Sequence, residues 1–308
     1  LEANTTGANN TAVGYQSLTA NTTGYENIGI GRCALLKNTE GFQNTGLGSL
    51  SLLCNLTGDC NVAVGHASLQ KNTANNNTAV GNSSLRCNTT GERNTGIGVC
   101  ALSGNTTHVN NTAVGYHALK INGANDNTAI GCGAMQCATT GNVNAAVGSL
   151  SLCANTTGGC NTAMGVPALR SNTTGSSNTA FGFSALTANT TGSSNTAIGK
   201  DALTTATTAG SNTAVGHDAL TSTTTGGQNN AFGDGAMNTN TTGCRNVAMG
   251  NSALFSNTEG LCNTALGHIA MYDNTTGDNN TAVGSSALEN NTTGTNNTAV
   301  GLSALGLN

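Results

Sequence analysis

Residues 4–20 read NTTGANNTAVGYQSLTA, and residues 21–37 read NTTGYENIGIGRCALLK. The pattern returns to the end of the chain, where residues 291–308 read NTTGTNNTAVGLSALGLN. Alignment gives eighteen units with the 17-residue consensus NTTGxxNTAVGxxALxx, and the units that start at 72 and 122 are one residue short. A fixed period of this length predicts a repeat architecture. The units start at residues 4, 21, 38, 55, 72, 88, 105, 122, 138, 155, 172, 189, 206, 223, 240, 257, 274 and 291.

Four positions of the unit hardly vary, counting the first Asn of NTTG as position 1. Position 7 is Asn and position 11 is Gly in every unit. Position 10 is always apolar, position 15 is always Leu or Met, and positions 9 and 14 carry small residues. Gly, Asn and Thr interrupt every stretch long enough to form a helix, so the pattern excludes helical repeats.

The sequence therefore predicts an all-β fold, a β-solenoid (β-roll or β-helix) of about 18 coils with 17 residues per coil. We expect two short strands per coil, around T-A-V and around x-A-L, and one continuous solenoid domain over residues 1–308. The apolar side chains of positions 10 and 15 are expected to face each other in a thin core. Gly at position 11 indicates a backbone conformation or a close approach that a side chain would block.

The invariant Asn at position 7 predicts a structural ladder. Stacked identical amides can bond to one another along the solenoid axis, as they do in cross-β assemblies. A preference of Asn for the turn conformation is an alternative that is compatible with the ladder. The ladder residues are Asn10, Asn27, Asn44, Asn61, Asn77, Asn94, Asn111, Asn127, Asn144, Asn161, Asn178, Asn195, Asn212, Asn229, Asn246, Asn263, Asn280 and Asn297.

The composition limits the classes of function. Charged residues are 7% of the chain, aromatic residues are 3%, and the net charge of −4 has no basic stripe for a nucleic acid. No apolar run is long enough to span a membrane, and no signal peptide is recognised. The strict phase of the apolar residues argues against disorder. Eleven cysteines without metal-ligand spacing favour an oxidising, extracellular setting.

The N-T-A-V-G-x-x-A-L segment resembles the repeats of trimeric autotransporter adhesin heads of the YadA type. The longer form is similar to the NTAVGYQAL-type repeat arrays of phage and large-virus fibre proteins. The resemblance covers residues 4–308 and implies a left-handed β-roll, two short strands per coil and trimerisation. This chain departs from the adhesin heads in its longer, 17-residue coils, and no stalk, membrane anchor or chaperone segment is recognised in it.

Three cysteine pairs are candidate disulfides because their members lie close in coil phase. The rival interpretation, a zinc site, lacks a C-x-x-C motif. Cys87 with Cys100 is a further possible pair, and the odd count leaves at least one thiol free or bonded to another chain. The three candidate pairs are Cys54 with Cys60, Cys153 with Cys160, and Cys244 with Cys262.

The N-x-T corners are candidate glycosylation sites if the corners are exposed. The alternative is that Asn, Thr and Gly are simply turn residues there. The candidates are Asn4, Asn21, Asn55, Asn88, Asn105, Asn155, Asn172, Asn189, Asn240, Asn274 and Asn291.

No catalytic constellation is found: the five histidines are scattered, and neither a Ser/His/Asp group nor a phosphate loop is present. We expect no enzymatic activity, no cofactor and no metal. The primary hypothesis is an extracellular structural fibre, a rigid rod on a cell surface, in a secretion or on a virion. Its partners would be copies of itself, in a head-to-tail filament or a trimer, because neither chain end carries a polar cap.

Two other functions stay open. An adhesin or receptor-binding fibre would use the variable positions 12, 13, 16 and 17 against a cell-surface or glycan target, with neither nucleic acid nor membrane insertion involved. Apolar residues that could mark such contacts are Leu36, Leu53, Ile121 and Phe255. An ice-binding function would use threonine columns at positions 2 and 3, although adjacent residues of a strand point apart.

Overall fold

The computed structural model describes residues 1–306, and within them each repeat contributes one three-residue strand. The strands up to residue 147 pair in parallel with their sequence neighbours, and so do the strands from residue 162 onward, which is the arrangement of a β-solenoid and confirms the predicted fold class. The strands are β1 Thr11–Val13, β2 Ile28–Ile30, β3 Thr45–Leu47, β4 Val62–Val64, β5 Thr78–Val80, β6 Thr95–Ile97, β7 Thr112–Val114, β8 Thr128–Ile130, β9 Ala145–Val147, β10 Thr162–Met164, β11 Thr179–Phe181, β12 Thr196–Ile198, β13 Thr213–Val215, β14 Asn230–Phe232, β15 Val247–Met249, β16 Thr264–Leu266, β17 Thr281–Val283 and β18 Thr298–Val300.

The chain divides into two compact units, Leu1–Thr157 and Gly158–Asn308. The first unit holds β1–β9 and the second holds β10–β18, and each is a stack of coils. The single continuous domain expected from the sequence stays a prediction. In the described part of the chain, no helix is long and apolar enough to cross a membrane.

The two short repeats keep the strands in register. Val62 pairs with Thr78, and Thr112 pairs with Thr128, although only 16 residues separate the partners in each pair. The corner of the short repeat is one residue shorter than usual, so Asn72 Nδ2 donates to the carbonyl of Ala74, two residues later. Ordinary coils make the same contact over three residues. A deletion at the corner therefore leaves the sheet unchanged.

The face of each strand that packs against the core is the opposite of the predicted one. The middle residue of each strand, Ala or Gly at position 9, points inward: Ala79 and Ala180 are fully buried. Position 10 points outward, so Val13 is 56% exposed and Phe181 is 52% exposed. The prediction that positions 10 and 15 face each other is wrong. Small residues at positions 9 and 14 leave the interior to the single large side chain at position 15 of each coil, which is buried at Leu35 and Leu186.

The second predicted strand, x-A-L, is not a strand in residues 1–306 but a chain of turns. Its backbone still bonds between coils, since Leu18 N donates to Ala34 O at 3.1 Å. Positions 13 and 15 have left-handed backbones, with φ of 56° at Gln16 and 49° at Leu18. Alternating left-handed residues cannot form the extended conformation of a strand, so the structure corrects two strands per coil to one.

The left-handed backbone explains the residue choice at position 15. β-Branched side chains are strained at positive φ, whereas unbranched ones adopt it at a smaller cost. Position 15 is accordingly always Leu or Met, as in Leu186 at φ 54° and Met237 at φ 51°. Position 10 lies in an extended strand and is mostly Val or Ile. At positions 10 and 15, the choice between β-branched residues and Leu or Met thus follows the backbone conformation, whereas Val143 and Ile269 adopt φ of 58° and 48° at other positions.

Gly at position 11 is required for two reasons. Gly31 has φ +132°, a conformation that side-chain-bearing residues rarely adopt. A methyl group on Gly31 would also lie 2.6 Å from the backbone carbonyl carbon and oxygen of Gly48 in the next coil. The structure therefore shows both of the causes that the sequence left open.

Candidate functional site

The position-7 asparagines lie in a buried stack that joins successive coils. Asn44 Oδ1 accepts hydrogen bonds from the backbone nitrogen and from Nδ2 of Asn61, both at 3.0 Å. Asn44 Nδ2 donates to the carbonyl of Gly58 in the next coil at 2.7 Å. Each amide thus ties its own coil to the next through both its donor and its acceptor. Aspartate could not replace it, because a carboxylate has no donor for the Gly58 carbonyl.

A second stack of asparagines, at position 1, was not predicted as a ladder. Asn38 Nδ2 donates to Asn21 Oδ1 at 2.9 Å and to the Gly41 carbonyl at 3.0 Å. Asn55 Nδ2 then donates to Asn38 Oδ1 at 3.0 Å. The two asparagine stacks lie side by side, because Asn44 Nδ2 and Asn55 Nδ2 both donate to the Gly58 carbonyl, so this part of the interior is polar but hydrogen-bonded. The signal in the sequence was the recurrence of Asn at position 1, where glycosylation was considered instead.

Burial at position 1 corrects the glycosylation prediction. Asn21, Asn88 and Asn240 are fully buried, and only Asn4 in the first coil is exposed. Their Nδ2 atoms, where a glycan would attach, donate to carbonyls inside the coil. A glycan on Nδ2 would replace these bonds and could not fit in the stack. The corner asparagines serve the turn and the interior, as the alternative interpretation held. The other buried candidates are Asn55, Asn105, Asn155, Asn172, Asn189, Asn274 and Asn291.

The position-1 stack is interrupted where alanine replaces asparagine. Asn122 Oδ1 and Asn189 Oδ1 are buried and have no hydrogen-bond partner in the described part of the chain. The residues one coil further on are Ala138 and Ala206, which carry no donor. In the coil of Ala206, position 4 is Ala209 where most coils have glycine. A position-1 asparagine oxygen packs against the position-4 residue, as Asn38 Oδ1 does beside Gly41, although Asn105 keeps both bonds of its Nδ2 with His108 at position 4.

The three predicted disulfides are not formed. Cys54, Cys60, Cys160, Cys244 and Cys262 are thiols, so none of the pairs Cys54–Cys60, Cys153–Cys160 and Cys244–Cys262 is bonded. The backbones of the third pair do meet, with Cys262 N donating to Cys244 O at 3.1 Å.

The sulfurs of these cysteines turn toward other partners. The Cys244 thiol donates to the Thr242 carbonyl, and its sulfur accepts from Gly227 N in the preceding coil. Cys60 Sγ donates to Gln43 Oε1 at 3.5 Å, also toward the preceding coil. Proximity along the coil therefore does not bring these sulfurs together, because each side chain follows its own column.

The threonine hydroxyls at position 2 are used within the solenoid. Thr22 Oγ1 donates to the Thr39 carbonyl at 3.0 Å, and Thr39 Oγ1 donates to the Leu56 carbonyl at 3.1 Å. The same carbonyl of Thr39 accepts the backbone N–H groups of Thr22, Thr23 and Gly24. A hydroxyl that bonds to the next coil is not displayed as a free column, which removes the basis given for ice binding at this position.

The exposed strand face consists of the first and third residues of β1–β18. The third residues are Val, Ile, Leu, Met or Phe and remain well exposed, with Met249 at 49%. None of the first and third residues is charged, although the chain has 9 basic and 13 acidic residues. This column of exposed apolar side chains was predicted to be core. Its variable side-chain size, from Val to Phe, was the signal that it does not fill a fixed interior.

The side chains at the corners form shorter stacks on the surface. Tyr25 stacks on Phe42 with ring centroids 4.9 Å apart, and Phe255 stacks on Tyr272 at 5.1 Å. Each pair occupies one position in consecutive coils, so an aromatic ring covers its neighbour at the coil spacing. Of the residues predicted to be exposed, Ile121 is 51% exposed, while Leu36, Leu53 and Phe255 are half-buried.

One corner of the second unit concentrates titratable groups. The ligand atoms of Asp201, His217 and Asp218 lie within 4.8 Å of one another. Lys200 Nζ sits among them, 2.9 Å from Asp201 Oδ2 and 3.4 Å from His217 Nε2. The hydrogen bond and the charge of Asp201 raise the pKa of Lys200. The ammonium already occupies the position of a cation there, so this group forms an ion-paired surface corner.

A shallow cleft of about 370 Å³ lies in the first unit. It opens at Gly104, where other coils carry a larger side chain, and Arg86 and Lys120 flank it. Cys87 and Cys100 line the same cleft as thiols. Its lining thus combines two cations with two thiols and has no carboxylate or imidazole.

Comparison with models of known protein families and with curated proteins gives no match. The likeness to adhesin heads and fibre repeats remains a prediction from the repeat motif. The function has to be inferred from the coils themselves.

Proposed function

We propose that this protein is a structural fibre component, without enzymatic activity, that serves as a stiff extracellular rod and assembles with copies of itself. The observation that carries the proposal is that equivalent hydrogen bonds join one coil to the next at different places in the chain. The Asn44 side chain bonds to the Gly58 carbonyl at 2.7 Å, and the equivalent bond from Asn246 to Gly260 is also 2.7 Å. The same contact between coils recurs along nearly the whole chain, which suits a continuous stack of coils along one axis.

The buried polar stacks support stiffness in particular. Asparagine amides bonded in both directions lose their partners if neighbouring coils separate or shift by one residue. A buried polar group left without a partner costs about 1–3 kcal/mol. Because most coils hold two such asparagines, and the coils with Ala138, Ala206 or Thr223 at position 1 hold one, bending or slipping is resisted along the stack rather than at a few hinges.

Assembly along the axis follows from the same repetition. Every coil presents the same set of N–H and C=O groups to its neighbour, so a coil of one copy can stack on a coil of another. Such head-to-tail contacts are heterologous and build filaments when they do not close. The thiol state of the cysteines removes one argument for an oxidising compartment. The extracellular location therefore rests on the fibre-like repeat.

Electron microscopy of the undenatured full chain tests this proposal. Stiff elongated particles that lengthen with protein concentration are the expected result. Compact particles, or flexible chains without a constant width, would contradict it. A fibre diffraction or power-spectrum reflection at about 4.8 Å along the particle axis identifies the coil stack.

A receptor-binding fibre is the second candidate, and the exposed aromatic residues at position 12 favour it. Tyr15, Tyr116 and Phe183 are 69%, 55% and 55% exposed at the corner after the strand. Such rings are common in contacts with protein or glycan targets. Rods of uniform single-chain length that bind cells, and that lose binding when these three residues are replaced by serine, would support this candidate over a filament.

A further inference from the structure

We propose that the strand face is the lateral contact of the fibre, on which a second copy of this chain packs face to face. This inference rests on the proposed structural function and adds the surface by which copies pair. The strand face is the set of first and third residues of β1–β18 defined above. Its partner would be the same face of another chain, sheet against sheet at about 10 Å.

The first argument is the apolar character of this face. Val13, Ile30, Leu47 and Phe181 expose 56%, 36%, 43% and 52% of their surfaces, and an apolar residue stands at the same place in every coil, exposed in some coils and half-buried in others. Nine strands at about 4.8 Å and three residues at about 3.3 Å give a strand face of roughly 430 Å² per unit, part of which is the threonine column at the first strand position. The largest apolar patches on soluble monomers cover about 300–600 Å² and are often functional, and the face of each unit falls in that range.

The distribution of charge is the second argument. No first or third strand residue is charged, whereas charged residues lie immediately on both flanks. Glu26 and Arg93 stand at position 6 before the strand, and Arg32, Lys200 and Asp234 stand at position 12 after it. An apolar centre with a charged rim is the usual composition of a protein interface. Two identical uncharged faces also approach each other without like-charge repulsion.

Periodicity decides in favour of a second copy over another partner. The exposed side chains recur once per coil, so only a surface with the same axial spacing can meet each of them. Another copy has that spacing along its whole strand face, and its Thr and Val columns can interdigitate with these. The face of each unit offers roughly 430 Å² to such a contact, about half of the area that one partner buries in a standard interface.

The test uses two sets of three glutamate substitutions in the full chain. The strand-face set replaces exposed third residues: Ile97→Glu, Ile130→Glu and Met249→Glu. Residues at position 12 flank the face, so the control set avoids them and replaces three exposed apolar residues elsewhere: Leu56→Glu, Ile121→Glu and Leu261→Glu. The two sets match in number, in added charge and in distribution between the units. Circular dichroism and the thermal midpoint confirm that both proteins fold.

Mass per unit length, from scanning transmission electron microscopy, gives the readout because it does not depend on particle length. We expect the natural chain and the control protein to have twice the mass per length of the strand-face protein. A single-solenoid mass per length for the natural chain would overturn the lateral pairing and leave the fibre function intact. The lateral pairing would also be overturned if the strand-face protein had the same doubled mass per length as the natural chain and the control protein. Absence of elongated particles in every sample would instead contradict the fibre function.

Discussion

Asn38 Nδ2 donates to Asn21 Oδ1 of the preceding coil at 2.9 Å, and both residues are fully buried. This bond lies beside Gly41, whose carbonyl accepts the second proton of the same amide at 3.0 Å. A methyl group on Gly41 would lie 2.5 Å from Asn38 Oδ1 and 2.5 Å from the Gly58 carbonyl oxygen. At this corner the position-1 asparagine and the position-4 glycine are therefore in direct contact, whereas the coil of Asn105 has His108 at position 4.

This contact predicts the outcome of a double-mutant cycle. Gly41→Ala should destabilise its coil by about 1–3 kcal/mol because the methyl group overpacks the corner. Asn38→Ala should cost a similar amount through the unpaired Asn21 Oδ1, although the Gly41 carbonyl still accepts from Asn27 Nδ2 at 2.7 Å. The double variant should cost less than the sum by roughly 0.5 kcal/mol or more, since the first contact of the methyl group disappears. Additive costs in urea unfolding would show that the two positions are independent.

The interrupted stack predicts a stabilising substitution. Ala138→Asn would give the orphan Asn122 Oδ1 a donor, and Gly141 in the same coil leaves room for the amide. We expect a gain of about 1 kcal/mol and slower amide hydrogen exchange in the two coils.

Ala206→Asn is the matched control for that substitution. It faces the orphan Asn189 Oδ1, but the Ala209 methyl group occupies the space that glycine leaves free elsewhere. This variant should be destabilised, and Ala206→Asn with Ala209→Gly should recover the gain. Stabilisation by Ala206→Asn alone would contradict the steric link between positions 1 and 4.

The left-handed backbone at position 15 predicts a difference between two conservative variants. Leu186 is buried with φ 54°. Leu186→Ile keeps the side-chain volume but places a branched Cβ at positive φ, so it should cost about 2 kcal/mol more than Leu186→Met. Urea midpoints of the two variants measure the difference. Equal midpoints would mean that the core, rather than the backbone, selects Leu and Met.

The position-7 stack predicts a pH-dependent variant. In the natural chain, Asn44 Nδ2 donates to the Gly58 carbonyl and to Asn27 Oδ1. In Asn44→Asp, the second carboxylate oxygen would take the place of Nδ2 and would face these two acceptors. Burial among acceptors raises the folded-state pKa of this carboxyl above its unfolded value of about 3.9. The protonated acid still donates, so stability should be kept below about pH 4 and lost as the pH rises through the folded-state pKa.

Asn44→Ala is the control for the aspartate variant because it removes the same donor without adding a titratable group. Its urea midpoint, relative to the natural chain, should not change between pH 3 and pH 7. Parallel pH profiles for the two variants would show that the carboxyl remains solvated and that position 7 is not a dry stack.

The sequence was sufficient for the period, the parallel stack and the need for glycine at position 11. These features are local or recur at a fixed spacing, so they appear directly in a single chain. The stacked Asn44 and Asn61 could be anticipated for the same reason: residues one period apart must become neighbours in a solenoid.

Only the tertiary structure decided which face of each strand is buried. Alternation along T-A-V places Thr and Val together on one side, but it does not say which side faces the interior. That choice depends on how much room the interior has once Leu186 and its equivalents are buried in it with a left-handed backbone. A Cβ atom at Gly29 would lie 3.2 Å from Leu18 Cγ, so only a small residue fits at the middle strand position beside the buried leucine. The larger Val, Ile and Phe side chains are therefore left on the outside.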